Sequence, residues 1–273
     1  MSDIVLSSGV RSNLLELQAT ADLITKTQTR LATGKRVNSA LDNPINYFTA
    51  QGLTVRANDL NSLLDAMSNG INTIQTANNG ITSITKLVQS AQSLVTQAQQ
   101  TTDTTVRASL STQFNDLLTQ IGQLAGDAGF NGINLLGGDN LTVTLNETGT
   151  SSTTVTGVDF TNASAAPLSI GTSANNWASS ADIAASATDL TAALTTLRSQ
   201  SQTLSSNLQV VQIRKDFTKA MINTLNTGAD NLTLADSNEE GANLLALQTR
   251  QQLSTTALSL AAQADQNVLR LFS

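Results

Sequence analysis

The chain has 273 residues, 12% charged and 3% aromatic side chains, and a formal net charge of −6. With no Cys there is no disulfide or thiolate chemistry, and with no His the commonest general base and metal ligand are missing. No basic patch with interleaved aromatics speaks for nucleic acid, and no run of about 18 apolar residues speaks for membrane insertion.

Met1 to Val10 has neither the basic n-region nor the apolar h-region of a Sec signal peptide, so export would need a different route. Over residues 3–33, Val10, Leu17, Ile24 and Leu31 recur at steps of seven, with Leu14 and Ala21 between them. That spacing predicts an amphipathic helix. Thr33-Gly34-Lys35 ends it, with Gly34 at C′. Asp42-Asn43-Pro44 reads as a turn, and Pro44 suits the first turn of a second helix. From about 45 to 100, Leu53, Leu60, Met67, Ile74, Ile81, Val88 and Val95 stand seven apart without a miss. A second rail runs beside them through Ala57, Leu64, Ile71, Ala77, Ile84, Ala91 and Ala98. This is the heptad of a helix that presents an apolar seam to another helix. Unbroken, it makes a rod about 75–80 Å long at 1.5 Å per residue. Gly70 and Gly80 lie inside it, each costing about 1 kcal/mol relative to Ala, so either close packing overrides that cost or the rod bends there.

Asp103 or Thr104 caps the next helix, which carries Val106, Leu110, Phe114, Leu117, Ile121, Leu124 and Ala128 and stops at Gly129-Phe130-Asn131-Gly132. Residues 133–180 are rich in Gly, Thr, Ser and Asn. There Leu141, Val143 and Leu145 alternate with Thr142 and Thr144, and Val155 and Val158 follow a turn at Asn146–Gly149, which reads as a β-hairpin. Ser151 to Thr156 are candidates for O-linked sugars, and Trp177 is expected to pack at the hairpin base. Helix resumes near Ala181, with Ile183, Ala187, Leu190, Leu194, Leu197, Leu204, Leu208, Val211, Ile222 and Leu225 at 3-4 steps. A turn region holds Asp236 and Glu239-Glu240-Gly241. The last helix, about 242 to Phe272, carries two stripes: Leu253, Ala257, Leu260, Ala264 and Leu271, and Leu258, Ala261, Val268 and Phe272.

The fold expected is mainly α: a long antiparallel helical bundle or coiled coil from the N- and C-terminal halves, with a small β-hairpin region in the middle. Apolar stripes on more than one face imply burial by neighbouring chains, with ends that order on assembly. No enzyme, cofactor or metal site is expected. Gly34-Lys35 is not a phosphate loop, because Thr29 stands where that motif needs Gly. Asp42, Asp59 and Asp65 lack the spacing of a metal-binding loop.

The run Thr29 to Ala40, followed by Asp42-Asn43-Pro44, resembles the signature between the first two helices of bacterial flagellin. Phe130-Asn131-Gly132 with Leu135-Leu136 resembles the motif after that family's third helix, and Ala261 to Phe272 resembles its C-terminus. The likeness covers roughly 1–136 and 180–273 and fits a short form without large outer domains. It implies inner-core terminal helices at 1–40 plus 236–273, a helical shell domain at 41–136 plus 180–235, and a surface hairpin and loop segment at 137–179. The implied function is a secreted structural subunit, exported by the flagellar type III apparatus, that polymerises into the extracellular filament for swimming motility. The alternative is a hook–filament junction protein, which shares the terminal helices. A helical adhesin or signalling rod would need a membrane segment or anchor, and none is visible.

The partners implied are the chain itself in a helical homopolymer, mixed or not with other flagellins, hook–filament junction and cap proteins, and an export chaperone on the C-terminal helix. Polymerisation would fall to Val10, Leu14, Leu17, Ile24, Leu31, Leu253, Leu258, Leu260, Val268, Leu271 and Phe272. Family members sensed by the animal innate receptor Toll-like receptor 5 carry two arginines and a glutamate in the segment matching Gln89 to Gln97. Here that segment is degenerate: Ser90, Gln92 and Ser93 replace the charges, while Leu94 and Gln97 match, so weak activation is expected.

Overall fold

The computed structural model describes residues 8–271, with side chains as far as Asn267 apart from Asp265. The chain runs through α1 (Ser8–Thr33), α2 (Pro44–Gln100), α3 (Thr104–Asp127), β1 (Leu141–Thr144), β2 (Ser152–Val155), a single turn (Ala174–Trp177) in which Asn175, Asn176 and Trp177 take positive φ, α4 (Ser180–Thr233) and α5 (Ser237–Leu271). It is mainly α with one two-stranded antiparallel sheet, as the periodicity implies. The residues fall into two compact units, a central one from Ala57 to Asn223 and a terminal one built from the chain up to Arg56 and from Thr224 onward.

In the central unit the heptad rails of α2 are the core. Leu60, Met67, Ile74, Ile81, Val88 and Val95 are buried, and so are Ala57, Ile71, Ala77, Ile84, Ala91 and Ala98. From Met67 on they share one apolar cluster with Phe114, Leu118 and Ile121 of α3 and Ile183, Leu190, Leu197, Leu204 and Val211 of α4. A polar contact sits beside this seam. Ser201 Oγ donates to Asn78 Oδ1 at 2.8 Å, and Asn78 Nδ2 donates to Ser205 Oγ at 3.1 Å. The two bonds are specific to this register of α2 against α4, and because Ser205 is exposed they mark the register more than they stabilise it.

α2 is uninterrupted through Gly70 and Gly80. A Cβ on Gly70 would lie 2.7 Å from Val143 Cγ2, and one on Gly80 would lie 2.7 Å from Leu136 Cδ1 and 2.9 Å from Ala128 Cβ. The two glycines are therefore landing points where the central segment lies directly on the helix backbone, and that contact overrides their poor helix propensity. The hairpin pairs Leu141 with Val155 and Val143 with Thr153. Leu141, Val143 and Val155 face inward, while Thr142 and Thr154 meet outside, their hydroxyls 3.3 Å apart.

Asp103 caps α3, its Oδ1 accepting from the Thr105 N–H at 2.8 Å and the Val106 N–H at 3.4 Å. After α3, Asn131 and Gly132 both take positive φ, 51° and 80°, and make a two-residue turn between the bridged Phe130 and Ile133. Trp177 is buried, as a packing residue should be, and its contacts are with α3 and α4. Its ring centroid is 5.0 Å from that of Phe114, and its Nε1 donates to Ser186 Oγ at 3.1 Å. Buried Arg107 ties the ends of three segments together by donating to the carbonyls of Ala98, Thr101 and Ala178.

In the terminal unit Gly34, at φ 67°, ends α1 as the C′ residue. Pro44 opens α2, with Asn43 Oδ1 accepting from the Asn46 N–H at 3.1 Å. The two connecting segments pair with each other: the Arg36 and Val37 N–H groups donate to Thr233 O at 2.7 and 3.2 Å, and the Ala235 N–H donates to Gly34 O at 3.0 Å. α5 begins at Ser237, several residues before the start near 242 that the turn-like composition implies. Asp236 caps it through the Asn238 and Glu239 N–H groups at 2.8 and 3.3 Å, and Glu239 and Glu240 occupy the first turn, where the helix dipole favours negative charge.

Candidate assembly surfaces

α1 and α5 lie against each other and are already helical in the single chain. Two ion pairs fix their relative placement: Arg30 Nη1 meets Glu240 Oε1 at 2.7 Å, and Arg250 pairs with Glu16. The seam of α1 is the row Val10, Asn13, Leu17, Thr20, Ile24, Thr27 and Leu31, all buried or half-buried. The seam of α5 is Leu244, Leu247, Gln251, Ser254, Leu258 and Ala261, all half-buried. Both follow the 3-4 step of a helix pair, but Asn13, Thr20, Thr27, Gln251 and Ser254 put polar groups at positions that a coiled coil fills with apolar ones.

Much of the apolar surface of the two helices therefore points elsewhere. Leu14, Leu15 and Leu23 of α1 and Leu245, Leu253 and Leu260 of α5 are exposed. Leu253 and Leu258 are five residues apart, which puts them about 140° apart around a helix of 3.6 residues per turn. One of the two stripes expected on α5, that of Leu258 and Ala261, is thus turned to α1. The other, with Leu253, Ala257, Leu260 and Ala264, faces outward. Of the residues expected to polymerise, Val10, Leu17, Ile24, Leu31 and Leu258 line the seam, and Leu14, Leu253 and Leu260 lie outside it. The side chains of Val268 and Leu271, and the whole of Phe272, lie outside the described residues.

Other large apolar side chains are exposed without any signal in the heptads. Leu41, Ile45, Phe48 and Val55 form one group, and Val210, Ile213 and Phe217 form another. They stand off the regular rails, and that displacement is the trace they leave in the sequence. Beside the first group, Asp42 closes the connection between α1 and α2. Its carboxylate accepts from the Asn38 and Ser39 N–H groups at 3.1 Å each and from Ser39 Oγ at 3.3 Å, with Lys26 Nζ 3.6 Å away. The Asn38 backbone bond first, then the Ser39 and Lys26 contacts, hold it below the ordinary carboxylate range despite some desolvation.

The receptor-like segment lies on α2. Gln89, Ser90, Ser93 and Gln97 are exposed, while Gln92 and Leu94 are half-buried. Ser90 Oγ and Ser93 Oγ donate to the carbonyls of Lys86 and Gln89 on their own helix, at 3.1 Å each. Ser90 and Leu94 line a shallow groove of about 310 Å³ with Gln113, Asp116, Leu117 and Gln120 of α3. Among the described residues no group of three or more acidic side chains is placed to hold a metal ion, and no helix is long and apolar enough to cross a membrane. What the arrangement offers is apolar helix faces suited to other helices.

Residues 7–141 match the family model of the bacterial flagellin N-terminal helical region. The chain is 31% identical to Flagellin FljN of Caulobacter vibrioides, over 100% of this chain and 99% of that protein. It is 28% identical to a flagellin of Brucella melitensis, again over 100% of this chain and 99% of that one. A crystal structure of Bacillus cereus flagellin is similar at 23% identity with a TM-score of 0.47, over 57% of this chain and 88% of that chain.

Proposed function

Since this chain belongs to the bacterial flagellin family and is a structural subunit of the extracellular flagellar filament, we propose that the paired α1 and α5 are the part that polymerisation completes. The observation that carries this is the outward stripe of Leu253, Ala257, Leu260 and Ala264, left exposed while Asn13, Thr20, Thr27, Gln251 and Ser254 occupy the seam. A pair joined through so mixed a seam, only half-buried along α5, gains limited apolar burial within one chain. Each ordered residue costs about 1–2 kcal/mol of conformational entropy, whereas neighbours covering the outer stripe return about 25 cal/mol for each Å² of apolar area. The free subunit's ends are thus held loosely enough to be exported through the flagellar type III apparatus, and the helices become rigid once neighbouring copies cover them.

In the same reading residues 1–40 plus 236–273 line the inside of the tube, 41–136 plus 180–235 form the shell around it, and 137–179 face the medium. The C-terminal helix, with its exposed stripe, is the segment an export chaperone would cover. Cap and hook–filament junction proteins would meet the same terminal helices at the two ends of the polymer. Self-assembly, not a junction role, follows from full-length relatives that are flagellins.

Electron microscopy of the purified chain with sheared filament seeds tests the reading. Long tubes of constant diameter are expected from the wild-type chain, and none from a Leu253→Ser, Leu260→Ser variant whose helix content is unchanged. Tubes of normal yield from that variant would refute the role given to the outer stripe.

A further inference from the structure

The central unit buries its apolar residues well, with one departure. Its exposed large apolar side chains among the described residues are Val106 and a single row on α4: Val210, Ile213 and Phe217, exposed by 43%, 62% and 56%. Spacings of three and four place the row on one helix face, over about 10 Å at 1.5 Å per residue. A second row lies in the terminal unit on the first turns of α2, where Ile45, Phe48 and Val55 are exposed by 77%, 60% and 52%. It too occupies one face and runs for about 15 Å. Each row holds one Phe among aliphatic side chains. The helical face of the α2 row continues to exposed Asp59, one turn beyond Val55, and the α4 row is bordered by exposed Arg214, between Ile213 and Phe217. Neither of these two charges has an ion-pair partner among the described residues.

We propose that in the filament the row Val210, Ile213 and Phe217 of one copy seats on the row Ile45, Phe48 and Val55 of a second copy, with Arg214 of the first beside Asp59 of the second. The proposal rests on the filament reading and names a contact surface distinct from the terminal helix pair. A helical polymer needs a heterologous contact, in which each copy presents two different surfaces that fit each other, because a single self-complementary patch closes a dimer and stops. These rows meet that requirement. They lie at different places in the chain, match in chemistry, and are each bordered by exposed charges of both signs, Arg56 and Asp59 on α2 and Arg214 and Asp216 on α4, so that Arg214 can face Asp59. Seating one on the other removes six large apolar side chains from water, with an aromatic anchor on each side and the charge pair at the rim, as in a helix–helix interface between subunits.

The absence of cysteine from the chain makes the test clean. Phe48→Cys and Phe217→Cys subunits are prepared separately, copolymerised on wild-type seeds, treated with a short bis-maleimide and separated on a denaturing gel. A covalent dimer is expected from the mixed filaments and not from filaments of either variant alone, and mixing separate variants ensures that the link joins two copies. The pair Ile45→Cys with Ile213→Cys repeats the test without touching the aromatic anchors. Independently, Arg214→Glu and Asp59→Arg are each expected to raise the critical concentration for assembly about fivefold, in line with a rim ion pair. The double variant, whose charges are swapped, should return to the wild-type value. Normal filaments without mixed-pair dimers, or dimers from a single variant alone, would overturn the proposed contact, and so would a double variant no better than the worse single one. A wild-type chain that never forms filaments would instead overturn the filament reading itself.

Discussion

The central and terminal units use similar helices in opposite ways. In the central unit the rails of α2 meet α3, α4 and the hairpin, and Met67, Ile74, Ile84, Phe114, Ile121 and Trp177 are fully buried. In the terminal unit the helices pair through a mixed seam and leave Leu15, Leu23, Leu245, Leu253 and Leu260 exposed. The first is a finished core. The second leaves apolar faces that its own chain does not cover, and the proposed polymer contact would fill them. A monomer's stability should therefore reside in the central unit, and the stability of the polymer should depend on side chains that contribute little to the monomer.

The sharpest way to break that contrast is a pair of substitutions read in two assays. Trp177→Ala removes a buried ring, its contact with Phe114 and its bond to Ser186, and should cost about 3–5 kcal/mol in chemical denaturation of the monomer. The Leu253→Ser, Leu260→Ser variant should leave that monomer transition within about 0.5 kcal/mol of wild type, as substitutions at exposed sites do, while assembly is lost. If the terminal variant destabilised the monomer as much as Trp177→Ala, the outer stripe would be an internal core and the contrast would fail.

A second, smaller effect sharpens the account of the central unit. Gly80→Val should destabilise the monomer by about 1–3 kcal/mol, because a side chain there meets Leu136 and Ala128 closer than van der Waals contact allows. At Gly52, where nothing lies within 4 Å of an added Cβ, Gly→Ala should stabilise the helix by up to about 1 kcal/mol. A stabilised Gly80 variant would show that the central segment does not rest on α2 as closely as described.

These glycines also mark where the sequence could be read and where it could not. The α2 rails from Leu53 to Val95 were legible, because seven uninterrupted heptad positions leave one face for the core. Gly70 and Gly80 left close packing and a bend both open, since the residues that land on them, Val143 and Leu136, are far away in the chain and propensity carries no information about such contacts. The beginning of α5 was legible but misassigned: Asp236 followed by Glu239-Glu240 looks like a polar turn, and is equally the cap and acidic first turn of a helix. In α1 the step of seven fixed Val10, Leu17, Ile24 and Leu31. Apolarity then favoured Leu14 and Ala21 as their companions. Ala21 is half-buried, but Leu14 is exposed, and the second row of the seam is Asn13, Thr20 and Thr27. A periodic pattern identifies apolar stripes without saying which of them the chain covers itself, and in an assembling subunit that is the decisive difference.

The receptor-like segment separates the two units in another assay. Its exposed positions are uncharged, and Ser90 and Ser93 spend their hydroxyls on their own helix. A charge-complementary receptor surface would find no ionic partner there, so monomeric protein should activate a Toll-like receptor 5 reporter cell far more weakly than a flagellin carrying the two arginines and the glutamate. Ser90→Arg should raise the response without altering assembly through the terminal helices. Full potency from the unmodified chain would mean that other contacts suffice.

The smallest expected effect is acid sensitivity, and it too divides between the units. Asp42 in the terminal unit and Asp159 in the central unit both lie below the ordinary carboxylate value of 3.8. For Asp42 the leading cause is the Asn38 N–H bond, and for Asp159 it is the Thr161 hydroxyl, followed by the Thr161 N–H, at 2.6 and 2.9 Å. The folded chain thus binds these protons more weakly than the unfolded chain does. Each carboxylate contributes stability that is complete above pH 3.8 and is lost as pH falls below it through the lowered folded value. Both groups are close to solvent, so the contribution is small and screened by salt. Unfolding of the central unit followed from about pH 5 downward should lose less stability in Asp159→Asn than in wild type, and Asp42→Asn should leave that curve unchanged. Asp42→Asn should instead blunt the acid sensitivity of amide exchange around Asn38 and Ser39, whose N–H groups its carboxylate holds. An unchanged acid slope in Asp159→Asn would remove the Thr161 bonds as its cause, and an effect of Asp42→Asn on the central curve would show that the two units unfold as one.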